Sequence, residues 1–98
     1  MFVNIIKSYR DIVAICDSKL IGKVFEEGNF KLEVKENFFK GKEVSEKELI
    51  KIMGSMSRED ATFNIVGEES TRFALEEGLI DKECIKTIQG IPFALVLI

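Results

Sequence analysis

The clearest pattern of hydrophobic and polar positions lies between residues 61 and 80. Four of the six residues in Ala61–Val66 are apolar, which predicts a buried strand. Gly67 follows directly, and two glutamates after it occupy what would be a helical first turn, where the N-terminal partial charge favours carboxylates. Gly78 is typical of a helix end. The pattern therefore predicts a strand, a glycine corner and a helix over about 68–77, with Leu79 folding back onto the helix.

Two apolar runs open the chain, Phe2–Ile6 and Asp11–Cys16, and together they predict a hairpin. Apolar residues are consecutive in the second run, which predicts a central strand covered on both faces. The next segment, Ser18–Phe25, is compatible with a bulged strand or with an irregular link. A turn at 26–29 then leads into Phe30–Lys35, whose alternation predicts a strand with Phe30, Leu32 and Val34 facing the core.

A loop is expected over 36–44, with Phe38 and Phe39 folding it onto the body. The sequence Ser45-Glu46-Lys47-Glu48 has the form of a capping box and predicts the start of a helix at Ser45. Its apolar stripe has helical spacing and comprises Leu49, Ile50, Ile52, Met53 and Met56.

The last third of the chain predicts a short helical turn after Asp81, capped by that side chain, and then a terminal strand. Gly90 and Pro92 bracket the entry to the apolar run at 91–98, which is too short to span a membrane and is expected to insert in the sheet. The predicted fold class is α+β, with a mixed sheet of about five strands and two main helices packed on one face.

Composition narrows the class of protein. A chain of 98 residues, 46% of them hydrophobic and 32% charged, is expected to form one folded domain over 1–98. The net charge of −3 disfavours general nucleic-acid binding, which depends on clustered Lys and Arg. Since the first residues do not have the pattern of a secretory signal, a cytoplasmic location is expected.

The chain contains two cysteines and no histidine, so we expect neither a metal site nor a cofactor. Cys16 and Cys84 are expected to be reduced and mostly buried. Cys16-Asp17 suggests a thiol nucleophile, but no histidine is available as a base, and the adjacent carboxylate would raise the thiol pKa. We expect no catalytic residue, and an enzyme is the less favoured class.

Two further features could bind ligands. Gly67 lies where phosphate binds in nucleotide-binding folds, but Glu68 and Glu69 would repel an anion, and simple helix capping is favoured. The stretch 30–42 alternates four lysines with phenylalanines, as an RNA surface would. Intervening glutamates nearly cancel that charge, so a solvated strand face is the favoured interpretation.

Several short motifs, taken in order, resemble the archaeal domain-of-unknown-function family 424. They are Ala14-Ile15-Cys16-Asp17, Leu20-Ile21-Gly22-Lys23, Phe38-Phe39-Lys40-Gly41, Asn64-Ile65-Val66-Gly67-Glu68, Gly78-Leu79-Ile80 and Gly90-Ile91-Pro92. The resemblance implies a small cytoplasmic protein and supplies no catalytic residues. This chain departs from the family pattern at Phe93 and Leu95, where His and Gln are common, and at Glu69, where a basic residue is common.

Three functional hypotheses follow. The first is a non-enzymatic binding or interaction domain, with an unknown protein partner or a second copy pairing along an exposed edge strand. The second is an RNA-associated accessory of translation or RNA processing, and the third is an enzyme with a cleft near Cys16, Asp17 and Gly67. The candidate surface or cleft residues are Cys16, Asp17, Phe39, Asn64, Gly67 and Glu68.

Overall fold

The computed structural model describes residues 1–97, which form both strands and helices. The strands are β1 Phe2–Ile6, β2 Ile12–Cys16, β3 Val24–Glu27, β4 Phe30–Glu33, β5 Lys42–Glu43, β6 Thr62–Val66, β7 Lys86–Ile88 and β8 Ile91–Val96. The helices are α1 Glu36–Phe39, α2 Glu46–Arg58 and α3 Glu68–Glu76, with 3₁₀ turns at Ser18–Leu20 and Lys82–Cys84.

Six strands form the main sheet in the order β5-β1-β2-β6-β8-β7, and β3 and β4 form a separate hairpin. The β2–β6 pair is parallel, whereas the other neighbours are antiparallel. The mixed α+β sheet is thus as predicted, with one strand more than expected. β5 and β7 are two and three residues long, too short to give a recognisable pattern.

The opening hairpin and the position of β2 are confirmed. β2 lies between β1 and β6, and its last four residues are buried. The terminal strand is also inserted as predicted, because β8 lies between β6 and β7. Residue 98, the last of the predicted run, lies outside the described residues.

The corner at Gly67 joins β6 to α3 as predicted. Gly67 has φ +115° and Gly78, after the end of α3, has φ +73°, both in the region that favours glycine. The amide of Leu79 donates to the carbonyl of Ala74 at 2.9 Å, which closes the helix end.

The two main helices pack on one face of the sheet. Ser45 caps α2 in the predicted capping box, and Leu49, Met53 and Met56 enter the core beneath it. Ile50 does not, since it lies at the exposed edge of the stripe. Among the largest buried side chains of this cluster are Val13 and Ile15 from β2 and Phe63 and Ile65 from β6.

The opposite face of the sheet carries a second apolar cluster, covered by the β3–β4 hairpin and α1. Alternate residues of the same strands supply it, including Ala14, Cys16 and Val66, and Val34 and Phe39 pack down on them. This second layer was predicted only as a strand, a loop and an uncertain link. Its residues lack a long periodic pattern because each element spans at most four residues.

Several local expectations are wrong. Phe30 does not face the core, because β4 belongs to the separate hairpin, and its side chain is 77% exposed. The segment 36–44 contains α1 and β5 instead of a plain loop. Asp81 precedes a 3₁₀ turn, but its side chain makes no capping hydrogen bond. None of the helices among the described residues has the length and apolar character needed to span a membrane.

Candidate functional site

A cleft of about 570 Å³ opens on the face of the sheet that the hairpin and α1 cover incompletely. Its floor is formed by β6 and β8, and its wall by β4, α1 and the residues between them. Side chains alternate along a strand, so Asn64 and Val66 of β6 share this face with Phe93 and Leu95 of β8. Asn64 and Leu95 are direct neighbours in the β6–β8 register.

The wall is held against the sheet by specific contacts. The Asn4 side-chain amide donates to the Phe38 carbonyl at 2.8 Å, which ties α1 to β1. Phe38 and Phe39 meet edge to face with ring centroids 5.1 Å apart. Phe39 is buried, whereas Phe38 remains partly exposed in the cleft. The wall is therefore a packed structure with a fixed aromatic lining.

The β3–β4 hairpin is tied to the turn between β7 and β8. The Gln89 backbone amide donates to Glu27 Oε1 at 2.8 Å, and its side chain donates to the Glu26 carbonyl at 2.6 Å. These two bonds join residues more than 60 positions apart in the chain. They fix one end of the β3–β4 hairpin, whose strand β4 forms part of the cleft wall.

Asn64 is the polar group on the cleft floor. It lies among apolar side chains and is partly buried. Within residues 1–97 its carboxamide forms no hydrogen bond. A carboxamide offers both donors and acceptors, so Asn64 presents unused hydrogen-bonding capacity to whatever enters the cleft.

Charged side chains near the cleft rim are paired, with two lysines sharing one carboxylate. Lys31 lies 3.3 Å and Lys35 4.0 Å from the carboxylate of Glu33. Lys42, farther along the chain, pairs with Glu48 at 3.1 Å, and this contact is the main reason that the pKa of Glu48 is lowered. Three of the four lysines in the 30–42 stretch thus have a carboxylate partner, which weighs against a basic surface for RNA.

The glycine corner contains a different arrangement. The carboxylate of Asp17 accepts hydrogen bonds from the amide of Glu69 at 3.1 Å, the amide of Ser70 at 2.9 Å and the Ser70 hydroxyl at 2.7 Å. The protein's own carboxylate therefore occupies the position at the start of α3 where a phosphate would bind. Glu68 and Glu69 add two further negative charges in the first turn of α3.

Cys16 is fully buried at the end of β2. Burial, with a smaller contribution from the charge of Asp17, raises the pKa of its thiol to about 11. The thiol is protonated at neutral pH and is not a nucleophile. The expectation of two mostly buried cysteines is half wrong, because Cys84 is exposed; both are free thiols.

The structure places two of the six candidate residues in the cleft and four outside it. Phe39 and Asn64 line it. The other four lie around the strand-to-helix corner: Cys16, Asp17, Gly67 and Glu68. No group of three or more potential metal-ligating side chains lies close together in the described part of the chain.

Sequence reasoning did not identify Phe93 and Leu95 as cleft residues. Their two-residue spacing on a predicted strand was a usable signal, since it places both on one face. What the spacing does not reveal is which neighbour that face meets. Of the three positions that depart from the family pattern, Phe93 and Leu95 thus fall on the cleft floor as apolar side chains.

Comparison with known proteins supports the fold and the family. A crystal structure of an uncharacterized conserved protein from Methanopyrus kandleri matches with a TM-score of 0.83 and 22% sequence identity, over 97% of this chain and 88% of that chain. This likeness shows the same fold. The search of curated proteins returned no match.

The family model described as protein of unknown function (DUF424) matches residues 6–98. The match runs from the end of β1 to the C-terminus and so includes every motif that carried the resemblance in the sequence. The chain therefore belongs to the DUF424 family.

Proposed function

We propose that this protein is a non-enzymatic binding domain and that the cleft between the hairpin layer and strands β6 and β8 is its binding site. The observation that carries the proposal is the carboxamide of Asn64, which has no hydrogen-bond partner among residues 1–97 and lies on an otherwise apolar floor. Ligand sites commonly combine apolar walls with a few polar groups that set orientation, in volumes of roughly 300–1,000 Å³. The cleft volume of about 570 Å³ falls within that range.

Catalysis is a less favoured function for this protein. The enzyme hypothesis depended on an accessible Cys16, whose side chain has no exposed surface. The ionisable residues that line the cleft are Glu33 and Lys35, which lie at its rim and interact with each other. Glu33 and Lys35 could act as an acid and a base only after their interaction with each other is broken.

Pairing along an edge strand is also less favoured than the cleft. The apolar terminal strand β8 is internal, and the sheet edges are β5 and β7. With two and three residues, these edges offer few backbone groups to a partner.

We infer that residues 1–98 act as one domain, since both apolar clusters share one sheet. We also infer that the protein works in the reducing cytoplasm, because both of its cysteines are free thiols.

A fragment screen by amide NMR of the ¹⁵N-labelled protein tests the proposal. We expect bound fragments to shift the resonances of Asn64, Phe93 and Leu95, and Leu95→Arg to abolish those shifts. Val24→Arg is the matched control, because Val24 is 52% exposed and Leu95 53%, and Val24 does not line the cleft. Absence of any fragment binding in the cleft, or equal loss in both variants, would refute the proposal.

A further inference from the structure

The hydrogen-bonding group on the cleft floor restricts what can bind there. The Asn64 carboxamide presents a donor and an acceptor side by side, and within the described residues neither has a partner. A ligand that covers Asn64 displaces the water around it. Unless the ligand forms hydrogen bonds with the donor and the acceptor itself, both groups are left unsatisfied, which costs binding free energy. The favoured ligand therefore carries an acceptor and a donor next to each other on one edge.

The two layers around the cleft restrict the shape of the ligand. Val66, Phe93 and Leu95 lie on the sheet side, and Leu32 and Phe38 lie on the opposite wall. These five side chains are apolar, and the ring of Phe38 is held by its neighbour Phe39; the wall also carries the polar side chain of Asn37. A flat ring satisfies this arrangement because its faces are apolar and its polar atoms are confined to its edge.

The rim restricts the charge of the ligand. Glu33 lies within ion-pairing distance of Lys31 at 3.3 Å and of Lys35 at 4.0 Å. A phosphate near Lys35 would have to compete with that carboxylate, and a cation near Glu33 would have to displace a lysine. Each of these three groups already has a partner of opposite sign, so a charged ligand gains little at the rim and a neutral ligand is favoured.

Together these observations assign a ligand class, and the assignment rests on the proposed binding function of the cleft. We propose that the cleft binds a neutral heteroaromatic base with an adjacent donor and acceptor, of which the adenine ring is the simplest example. Asn64 pairs with the amino group and the neighbouring ring nitrogen, as carboxamides do with adenine. The ring lies between the apolar residues of the sheet and of the wall.

Titration of the labelled protein with adenosine at millimolar concentration tests the assignment. We expect shifts at Asn64, Phe93 and Leu95, and a much weaker response to N6,N6-dimethyladenosine, which keeps the flat ring but lacks the donor. Asn64→Thr, a substitution suited to a strand, should reduce adenosine affinity by about tenfold to a hundredfold. Asn29→Ala, at an exposed turn, is the control and should leave affinity unchanged.

Two further probes distinguish the source of the base. AMP should bind within about threefold of adenosine, because Lys35, the cation among the described residues of the cleft, already faces Glu33. A short adenosine oligonucleotide should gain little beyond one base. Much tighter, salt-sensitive binding of AMP or of the oligonucleotide would show that phosphate contacts dominate and would overturn the assignment.

Other outcomes separate this inference from the broader proposal. If adenosine causes no shift while other fragments bind in the cleft, the ligand class is wrong and the binding function stands. Equal binding of adenosine and its dimethyl analogue would refute the proposed hydrogen bonds between Asn64 and the base. The same conclusion follows if Asn64→Thr retains its thermal unfolding transition and binds adenosine as tightly as the parent protein. If nothing binds, both proposals fail.

Discussion

Cys16 and Asp17 are adjacent in the chain but contribute to different parts of the fold. Cys16 packs in the apolar cluster on the hairpin face of the sheet, whereas the Asp17 side chain bonds to the start of α3. Both are nearly fully buried, at 0% and 4% exposure. The thiol remains neutral, and the carboxylate is stabilised by two backbone amides and a hydroxyl.

The raised pKa of Cys16 makes stability depend on pH in the alkaline range. The pKa of a cysteine in the unfolded chain is 9.0, whereas burial raises the pKa of Cys16 in the folded protein to about 11. Below both values the thiol contributes no pH dependence. Between them the unfolded state loses its proton first, so the free energy of unfolding falls, by at most about 3 kcal/mol.

Denaturant unfolding at several pH values between neutrality and this alkaline range measures the effect. Cys16→Ala should be less stable at neutral pH, because it leaves a small cavity, and should show a shallower alkaline decline than the parent protein. Cys84→Ala should retain the full decline, since Cys84 is exposed. Parallel curves for the parent and Cys16→Ala would contradict the prediction.

At this scale the sequence predicted that Cys16 is structural and that its thiol is not activated. It did not predict the role of Asp17. The partners of Asp17, Glu69 and Ser70, lie 52 and 53 residues away. No local pattern reports a capping interaction between segments so distant in the chain.

At the scale of elements, the β6–α3 corner depends on close approach between Gly67 and Asp17. A Cβ atom at Gly67 would lie 2.3 Å from Cγ of Asp17 and 2.5 Å from each carboxylate oxygen. The φ of +115° is also disfavoured for residues with a side chain. Glycine is therefore required at this position for two reasons: it adopts the backbone conformation of the turn, and it leaves room for the Asp17 carboxylate that caps α3.

Gly67→Ala should lower the free energy of unfolding by about 3 kcal/mol, from backbone strain and partial loss of the α3 cap. Gly78→Ala is the matched control: its φ is also positive, at +73°, but nothing lies within 4 Å of the added Cβ. The control should cost about 1 kcal/mol. Chemical denaturation measures both, and equal costs would show that contact with Asp17 is unimportant.

The long elements were predictable and the short ones were not. α2, with 13 residues and a capping box, and α3, ended by Gly78, carry local signals that agree with their packing. β7 and α1, with three and four residues, are too short to carry such a signal. Their structures depend on the neighbours against which they pack.

At the scale of the whole molecule, the sheet separates two layers of different character. The helix layer is continuous with a large apolar core, and the hairpin layer covers the other face incompletely and leaves the cleft. The hairpin is joined to the β7–β8 turn through the two hydrogen bonds of Gln89. The local stability of the hairpin layer should depend on this connection.

Gln89→Ala removes the side-chain bond to Glu26 and should reduce global stability by no more than about 1 kcal/mol, since the site is exposed. The larger expected effect is faster amide hydrogen exchange in β3 and β4 with little change in β6. Glu83→Ala, at an exposed site outside the hairpin, is the control. Exchange that accelerates equally in β6 would show that the hairpin is not an independent opening unit.

The sequence by itself determined the fold class, the central β2, the β6–Gly67–α3 unit and the capped α2, because these depend on periodicity and on interactions between residues near in the chain. Only the tertiary structure decided the strand order, the Asp17 cap and the cleft. Leu32 and Phe38 line the cleft opposite Asn64, Phe93 and Leu95. These residues belong to segments distant in the chain, and whether they face one cleft depends on how the hairpin layer docks on the sheet.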